Sequence, residues 1–166
     1  MPSSEVEEHT GEHRAATSGL PESLTHRTGF LLSTLGRRFR DATERALAPL
    51  GIKPVHYGVL AVLSAQGPAA QWAVGEKFRI DKSSMVVIVD HLERLNLVER
   101  RRNPRNRRAY ELILTDAGRN ALLEADRIIA RSEEGALAPL DKEQRAQLHE
   151  LLLRLLLVLG EPHTGR

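Results

Sequence analysis

Apolar residues recur at helical spacing early in the chain: Leu24, Leu31, Leu35, Phe39, Ala42 and Ala46 fall on one side of a helix predicted over about Glu22–Leu47. Pro49 and Gly51 end it. Pro54 suits the first turn of a second, shorter helix, where a missing N–H costs nothing, and Tyr57, Leu60, Ala61 and Leu63 then point inward. Gly67-Pro68 punctuates the chain before a third helix over about Ala70–Phe78. Asp81 suits the N-cap of a fourth, with Met85, Ile88, Val89, Leu92 and Leu95 on its inner face. The period then changes. Leu97–Arg100 and Ala109–Leu114 read as two strands about the turn Asn103-Pro104-Arg105-Asn106. Thr115 caps a fifth helix, and Asp141 with Gln144 three residues later opens a sixth through a capping box.

The sixth helix breaks the amphipathic pattern. Leu151, Leu152, Leu153, Leu155, Leu156, Leu157, Val158 and Leu159 surround a single polar residue, Arg154. A helix apolar on nearly every side has to be covered on nearly every side, which predicts a second copy of the chain against it. Two short helices, a turn, a longer helix and a hairpin make a winged helix-turn-helix by pattern. The fold predicted is therefore mainly α with a small β-hairpin wing. It has a flexible tail over 1–20, a dimerisation helix over 21–48, the winged helix-turn-helix over 49–114, C-terminal dimerisation helices over 115–160 and a tail over 161–166.

Charge changes this picture from fold to function. The formal net charge of the 166 residues is only +2, yet Lys77–Arg108 alone holds ten cations and four anions. Arg94, Arg100, Arg101, Arg102, Arg105, Arg107 and Arg108 crowd around one hairpin. Like charges on paired strands repel, so a polyanion is the natural counter-charge. Arg100 to Arg102 also suit a solvated strand edge that discourages aggregation. With 4% aromatic residues the core must be aliphatic, and the absence of cysteine excludes disulfides and thiolate metal sites. The start of the chain lacks the cationic and apolar run of a signal peptide, and no apolar stretch reaches the roughly 20 residues of a membrane span, so a cytoplasmic protein without a membrane partner is expected.

The run Leu50–Arg119, with LGIKPVHYGVLAVL, VGEKFRIDKSSMVVIVDHLERLNLVERR and NPRNRRAYELILTDAGR, resembles the MarR family of winged helix-turn-helix regulators. Leu114-Thr115-Asp116-Ala117-Gly118 is similar to the family's LTxxG signature, and the hairpin to its D-P-x-D-R-R wing motif. The resemblance implies a homodimeric, sequence-specific regulator of double-stranded DNA with a palindromic operator, a repressor relieved by a small-molecule effector, and no enzyme or cofactor. An alternative is a winged-helix module whose basic wing meets an acidic protein surface. Two departures stand out. Asn103 and Asn106 replace the wing aspartates, and Arg79 stands where a turn glycine is common, at a steric cost if its φ is positive.

The outer face of the fourth helix is expected to hold Ser83, Val86, Val87, Asp90, His91 and Arg94, with Asp90 and Arg94 spaced to pair. The recognition-helix candidates are Lys82, Ser83, Ser84, Val87, His91 and Arg94; Ser83 and Ser84 can donate to phosphates or base edges, while Val87 can touch a thymine methyl but cannot hydrogen-bond. The wing candidates are Arg101, Arg102, Arg105, Asn106, Arg107 and Arg108, with Arg108 chosen for the minor groove by resemblance and Arg105 next. With little polar readout on the helix, shape readout by wing arginines carries more of the specificity. The resemblance also suggests an effector pocket, for which His26, Phe30, Lys53, His56, Tyr57 and Trp72 are the candidates, although His56, Tyr57 and Trp72 are equally ordinary packing residues. His9 and His13 share a helical spacing but no further ligand stands near them, so no metal is expected. Nucleotide loops, nucleophile elbows and the zinc-protease helix motif are missing from the sequence.

Overall fold

A computed structural model describes residues 20–103 and 106–160, with the backbone alone described at 103, 106–109, 159 and 160. Both tails and the turn residues Pro104 and Arg105 lie outside the described residues. The chain forms two compact units, Met1–Ala42 and Thr43–Arg166.

In the first unit the anticipated single helix is divided. α1 spans Glu22–Thr25 and α2 starts at Thr28, running to Leu47 and so into the second unit. The break falls at His26 and Arg27, just before β-branched Thr28 and Gly29, both weak helix formers, open α2. The Arg27 carbonyl accepts from Phe30 and Leu31 and so starts the new helix.

The second unit holds a 3-10 turn at Ala48–Leu50, α3 (Pro54–Gln66), β1 (Ala69–Ala70), α4 (Gln71–Lys77), α5 (Lys82–Arg94), β2 (Val98–Asn103), β3 (Asn106–Leu114), α6 (Asp116–Ala136) and α7 (Lys142–Gly160). The hairpin is part of a three-stranded antiparallel sheet in the order β1-β3-β2. β1 pairs Ala69 with Leu112 and Ala70 with Glu111; at two residues it is too short to show any period. β2 and β3 pair Val98 with Leu114, Arg100 with Leu112, Arg101 with Glu111 and Arg102 with Tyr110. Thus Arg101 faces an anion across the ladder, and the cationic crowding foreseen at the hairpin is relieved there.

The core is aliphatic. Leu47, Ile52, Val59, Leu60, Leu63, Val74, Met85, Val89, Leu92, Val98 and Leu112 are buried together. Local capping chemistry sets the helix starts. Thr115 Oγ1 accepts the Gly118 N–H at 2.9 Å and donates to the Asn96 carbonyl at 2.7 Å. A Cβ on Gly118 would stand 2.1 Å from the Leu97 carbonyl oxygen, so only glycine lets α6 approach the start of β2 this closely. That contact is the physical content of Leu114-Thr115-Asp116-Ala117-Gly118. The Asp141–Gln144 capping box forms as anticipated, at 2.9 and 3.0 Å.

Candidate nucleic-acid interface

α4 and α5 meet at a tight turn. Arg79 adopts φ 53°, a left-handed conformation costing about 1 kcal/mol for a residue with a Cβ. Its N–H donates to Glu76 and that of Ile80 to Gly75, closing the turn. Asp81 caps α5 by accepting from the Ser84 N–H at 2.9 Å. The two serine hydroxyls donate to the same carboxylate, Ser83 at 2.5 Å and Ser84 at 2.6 Å. These bonds, that of Ser83 foremost, hold the Asp81 carboxyl well below its ordinary range. The hydroxyl protons offered to DNA in the sequence reading are therefore spent on the cap, and what Ser83 and Ser84 present outward is lone pairs.

Met85, Val89 and Leu92 bury one face of α5, with Ile88 partly covered. Lys82, Ser83, Ser84, Val86, Val87, Asp90 and Arg94 are exposed, as the helical wheel requires. His91 differs. Its ring turns inward, with Nε2 2.8 Å from the Gly51 carbonyl and the plane stacked on His56 at 4.6 Å between centroids. It does not share the outward face with Val87; the nearby carbonyl and the aromatic partner fix it there instead.

Asp90 and Arg94 do not pair through their side chains. Arg94 Nε reaches the Asp90 backbone carbonyl at 3.3 Å, while the Asp90 carboxylate binds Arg100 Nη1 at 2.6 Å. The same Nη1 meets Glu93 Oε2 at 2.5 Å, and the Arg100 N–H donates to Glu93 Oε1 at 2.9 Å. A fixed guanidinium with charged acceptors out-competes a flexible surface pair along one helix. Arg100 is thus neither a solvated edge residue nor a free cation. Arg101 and Arg102 beside it are exposed, and Arg101 lies 3.4 Å from Glu99 of its own strand. In the hairpin tip the backbone pairs Asn103 with Asn106; Arg105 and the side chains of Asn106, Arg107 and Arg108 lie outside the described residues.

Sequence reasoning missed Glu93 and Gln71, which hold Arg100. A signal was present, because Asp90 and Glu93 lie three apart on the helix preceding the arginine run.

Of the candidate effector residues in the second unit, Trp72 stands apart from Lys53, His56 and Tyr57. His56 is buried at 6% exposure, and its Nδ1 accepts the Lys53 N–H at 3.0 Å. Burial, then the neighbouring His91 and Lys53, push its pKa down to about 4. Tyr57 donates to Asp126 at 2.8 Å, and its pKa is raised by burial and by that bond. Trp72 is 67% exposed and lines a different cavity, of about 540 Å³, with Glu76, Ile80, Val86 and Tyr110; Lys53, His56 and Tyr57 do not border it. The exposed indole follows from its place in the first turn of α4, beside the sheet rather than under α3. His26 and Phe30 belong to the first unit, where His26 lies 3.5 Å from Glu22. Among the described residues no three His, Asp or Glu side chains gather as metal ligands, and no single helix is long and apolar enough to cross a membrane. His9 and His13 lie outside them.

Residues 50–109 match the MarR family model. A protein of Thauera aromatica named as a regulator of the hcr operon is 32% identical over 117 residues, 70% of each chain. The solved transcriptional repressor CouR bound to a 23-mer DNA duplex superposes with a TM-score of 0.76 at 28% identity, over 83% of this chain and 99% of that one. CouR from Rhodococcus jostii RHA1 bound to p-coumaroyl-CoA gives 0.69 at 27% identity, over 81% and 95%.

Proposed function

The chain belongs to the MarR family of DNA-binding transcriptional regulators, a family of regulators rather than enzymes, and on that premise we propose that it is a homodimeric, cytoplasmic repressor of a palindromic operator. The observation that carries this reading is the exposed face of α5 standing beside a strand that offers Arg101 and Arg102 to solvent. In this reading residues 49–114 bind DNA. Lys82, Ser83, Ser84, Val87 and Arg94 enter the major groove, where Val87 meets a thymine methyl and the serines accept from base or water donors. Arg101, Arg102 and Arg107 hold phosphates, while Arg108, oriented by Asn106, and Arg105 enter the adjacent minor groove. His91 braces α5 from behind.

The helices over 21–48 and 115–160 supply the dimer. The side chains of Leu151–Val158 other than Arg154 are 42–73% exposed in a single chain, more apolar surface than a monomer keeps in water. Palindromic recognition follows from the two-fold symmetry. Release by a small molecule is supported by CouR, solved both on DNA and with p-coumaroyl-CoA.

The test is selection of bound duplexes from a random pool, then competition binding. Palindromic sequences, affinity falling steeply with salt and a loss of about 1–3 kcal/mol on the operator for Arg108→Ala are expected. Salt-insensitive binding, or selection with no common sequence, overturns the reading.

A further inference from the structure

Three consecutive arginines on β2 have different fates, and the difference has a function. Arg100 shares its strand face with buried Val98, opposite buried Leu112. That face looks toward the helices, and the Arg100 side chain is only 23% exposed. A cation so placed needs partners, and it has them on two helices. Nη1 bridges Asp90 and Glu93 of α5 at 2.6 and 2.5 Å, and Nη2 approaches the Val86 carbonyl of α5 at 3.4 Å. Nε donates to Gln71 Oε1, in the first turn of α4, at 3.3 Å. The Arg100 backbone N–H is held by Glu93 as well. One planar fork thereby locks β2 to both helices of the helix-turn-helix, while the next two residues, Arg101 and Arg102, are left to solvent.

We propose that Arg100 is a positioning residue of the DNA interface: it sets where Arg101 and Arg102 stand relative to the outer face of α5 and does not itself touch DNA. The inference rests on the DNA-binding reading above. Phosphate contacts carry no sequence information, but they fix the register in which the helix meets the bases. If the strand bearing them shifts, phosphates can still be held on any duplex, whereas the alignment of Ser83 and Val87 with particular base edges is lost. A groove contact needs placement to about 0.5 Å. Lysine cannot replace the fork, because its single ammonium can bridge Asp90 and Glu93 but has no further nitrogens to reach Gln71 and the Val86 carbonyl as Nε and Nη2 do. Arg100 also neutralises Asp90 and Glu93, two anions on the DNA-side helix, so positioning has to be separated from simple charge cancellation.

The experiment compares the full-length wild type, Arg100→Lys, Arg100→Gln and the triple variant Arg100→Gln/Asp90→Asn/Glu93→Gln. Each is assayed below its own unfolding transition, on the selected operator and a scrambled duplex over a range of salt. Arg100→Lys is expected to lower the operator-to-scrambled affinity ratio roughly tenfold, the size of one good base contact, with scrambled binding and its salt slope unchanged. Arg100→Gln lowers the ratio at least as far. The triple variant, freed of both carboxylates, regains affinity for scrambled DNA without regaining the ratio. An unchanged ratio in Arg100→Lys overturns the inference. So does a ratio restored in the triple variant, which assigns the effect to charge alone. Equal loss on both duplexes with the salt slope reduced by about one makes Arg100 a phosphate ligand instead. A wild type that selects no operator overturns the underlying reading, and this inference falls with it; a wild type that selects one while the variants keep the ratio removes only the role of Arg100.

Discussion

The junction of α5 with β2 and the leucine-rich α7 meet the same difficulty in opposite ways. Each concentrates one kind of residue, cationic in the first and apolar in the second, beyond what a short segment can satisfy alone. At the junction the chain supplies its own answer: Asp90, Glu93 and Gln71 converge on Arg100, and Met85, Val89 and Leu92 sink into the core. In α7 the leucines from Leu151 to Leu157 remain exposed. A dense patch of charge or hydrophobicity therefore points to an external partner only after the internal ones are counted. By that count Arg102 and α7 remain available to external partners, Arg101 keeps a solvent-exposed pair with Glu99 that a phosphate can displace, and Arg100 is held on all sides of its fork.

The largest effect that would break the comparison is in α7. Leu152→Glu/Leu156→Glu should abolish the dimer, since each burial forgone is worth about 1.5–3 kcal/mol in each copy and a buried carboxylate costs more. Sedimentation equilibrium should show monomers whose second unit keeps its cooperative unfolding. A folded dimer would place the subunit contact elsewhere. In the core, Leu112→Ala should cost about 2–5 kcal/mol in urea unfolding without changing the oligomeric state of the folded protein.

The next effect depends on pH. The His56 pKa is lowered in the folded state, from 6.5 to about 4. The unfolded chain therefore takes up the proton first as pH falls. The contribution is fully present above pH 6.5 and is lost on descending through the window from about 6.5 to about 4, amounting to about 3 kcal/mol in all. His56→Gln should flatten the urea midpoint against pH in that window; an equally steep profile would assign the titration to another group. Smallest is the N-cap of α6, where Thr115→Ala should cost about 1 kcal/mol, read as a lower thermal midpoint with the operator-to-scrambled ratio unchanged.

Legibility followed the range of the interaction. The caps at Asp81, Thr115 and Asp141 were readable because donor and acceptor lie three residues apart. The core face of α5 was readable because one period orders it, with Ile88 only partly covered and Leu95 exposed at its margins. The break between α1 and α2 was masked by apolar positions that continued the same spacing on both sides of it. The candidate site was legible as a face and a charge, and less so as individual roles: Ser83 and Ser84 spend their hydroxyl protons on Asp81, and Trp72 borders a cavity that excludes His56.

The order of amino acids by itself determined the element types, the helix starts, the aliphatic core, the MarR-family winged helix-turn-helix and the clustering of arginines, because helical and strand periods and caps are written within a few residues of one another. Tertiary structure alone decided which arginine is a tie, which way His91 turns and that Ala69–Ala70 joins the sheet. Arg100 meets Gln71 across 29 positions and His91 meets Gly51 across 40. Such meetings depend on the angles at which packed elements cross, and no local period encodes those angles.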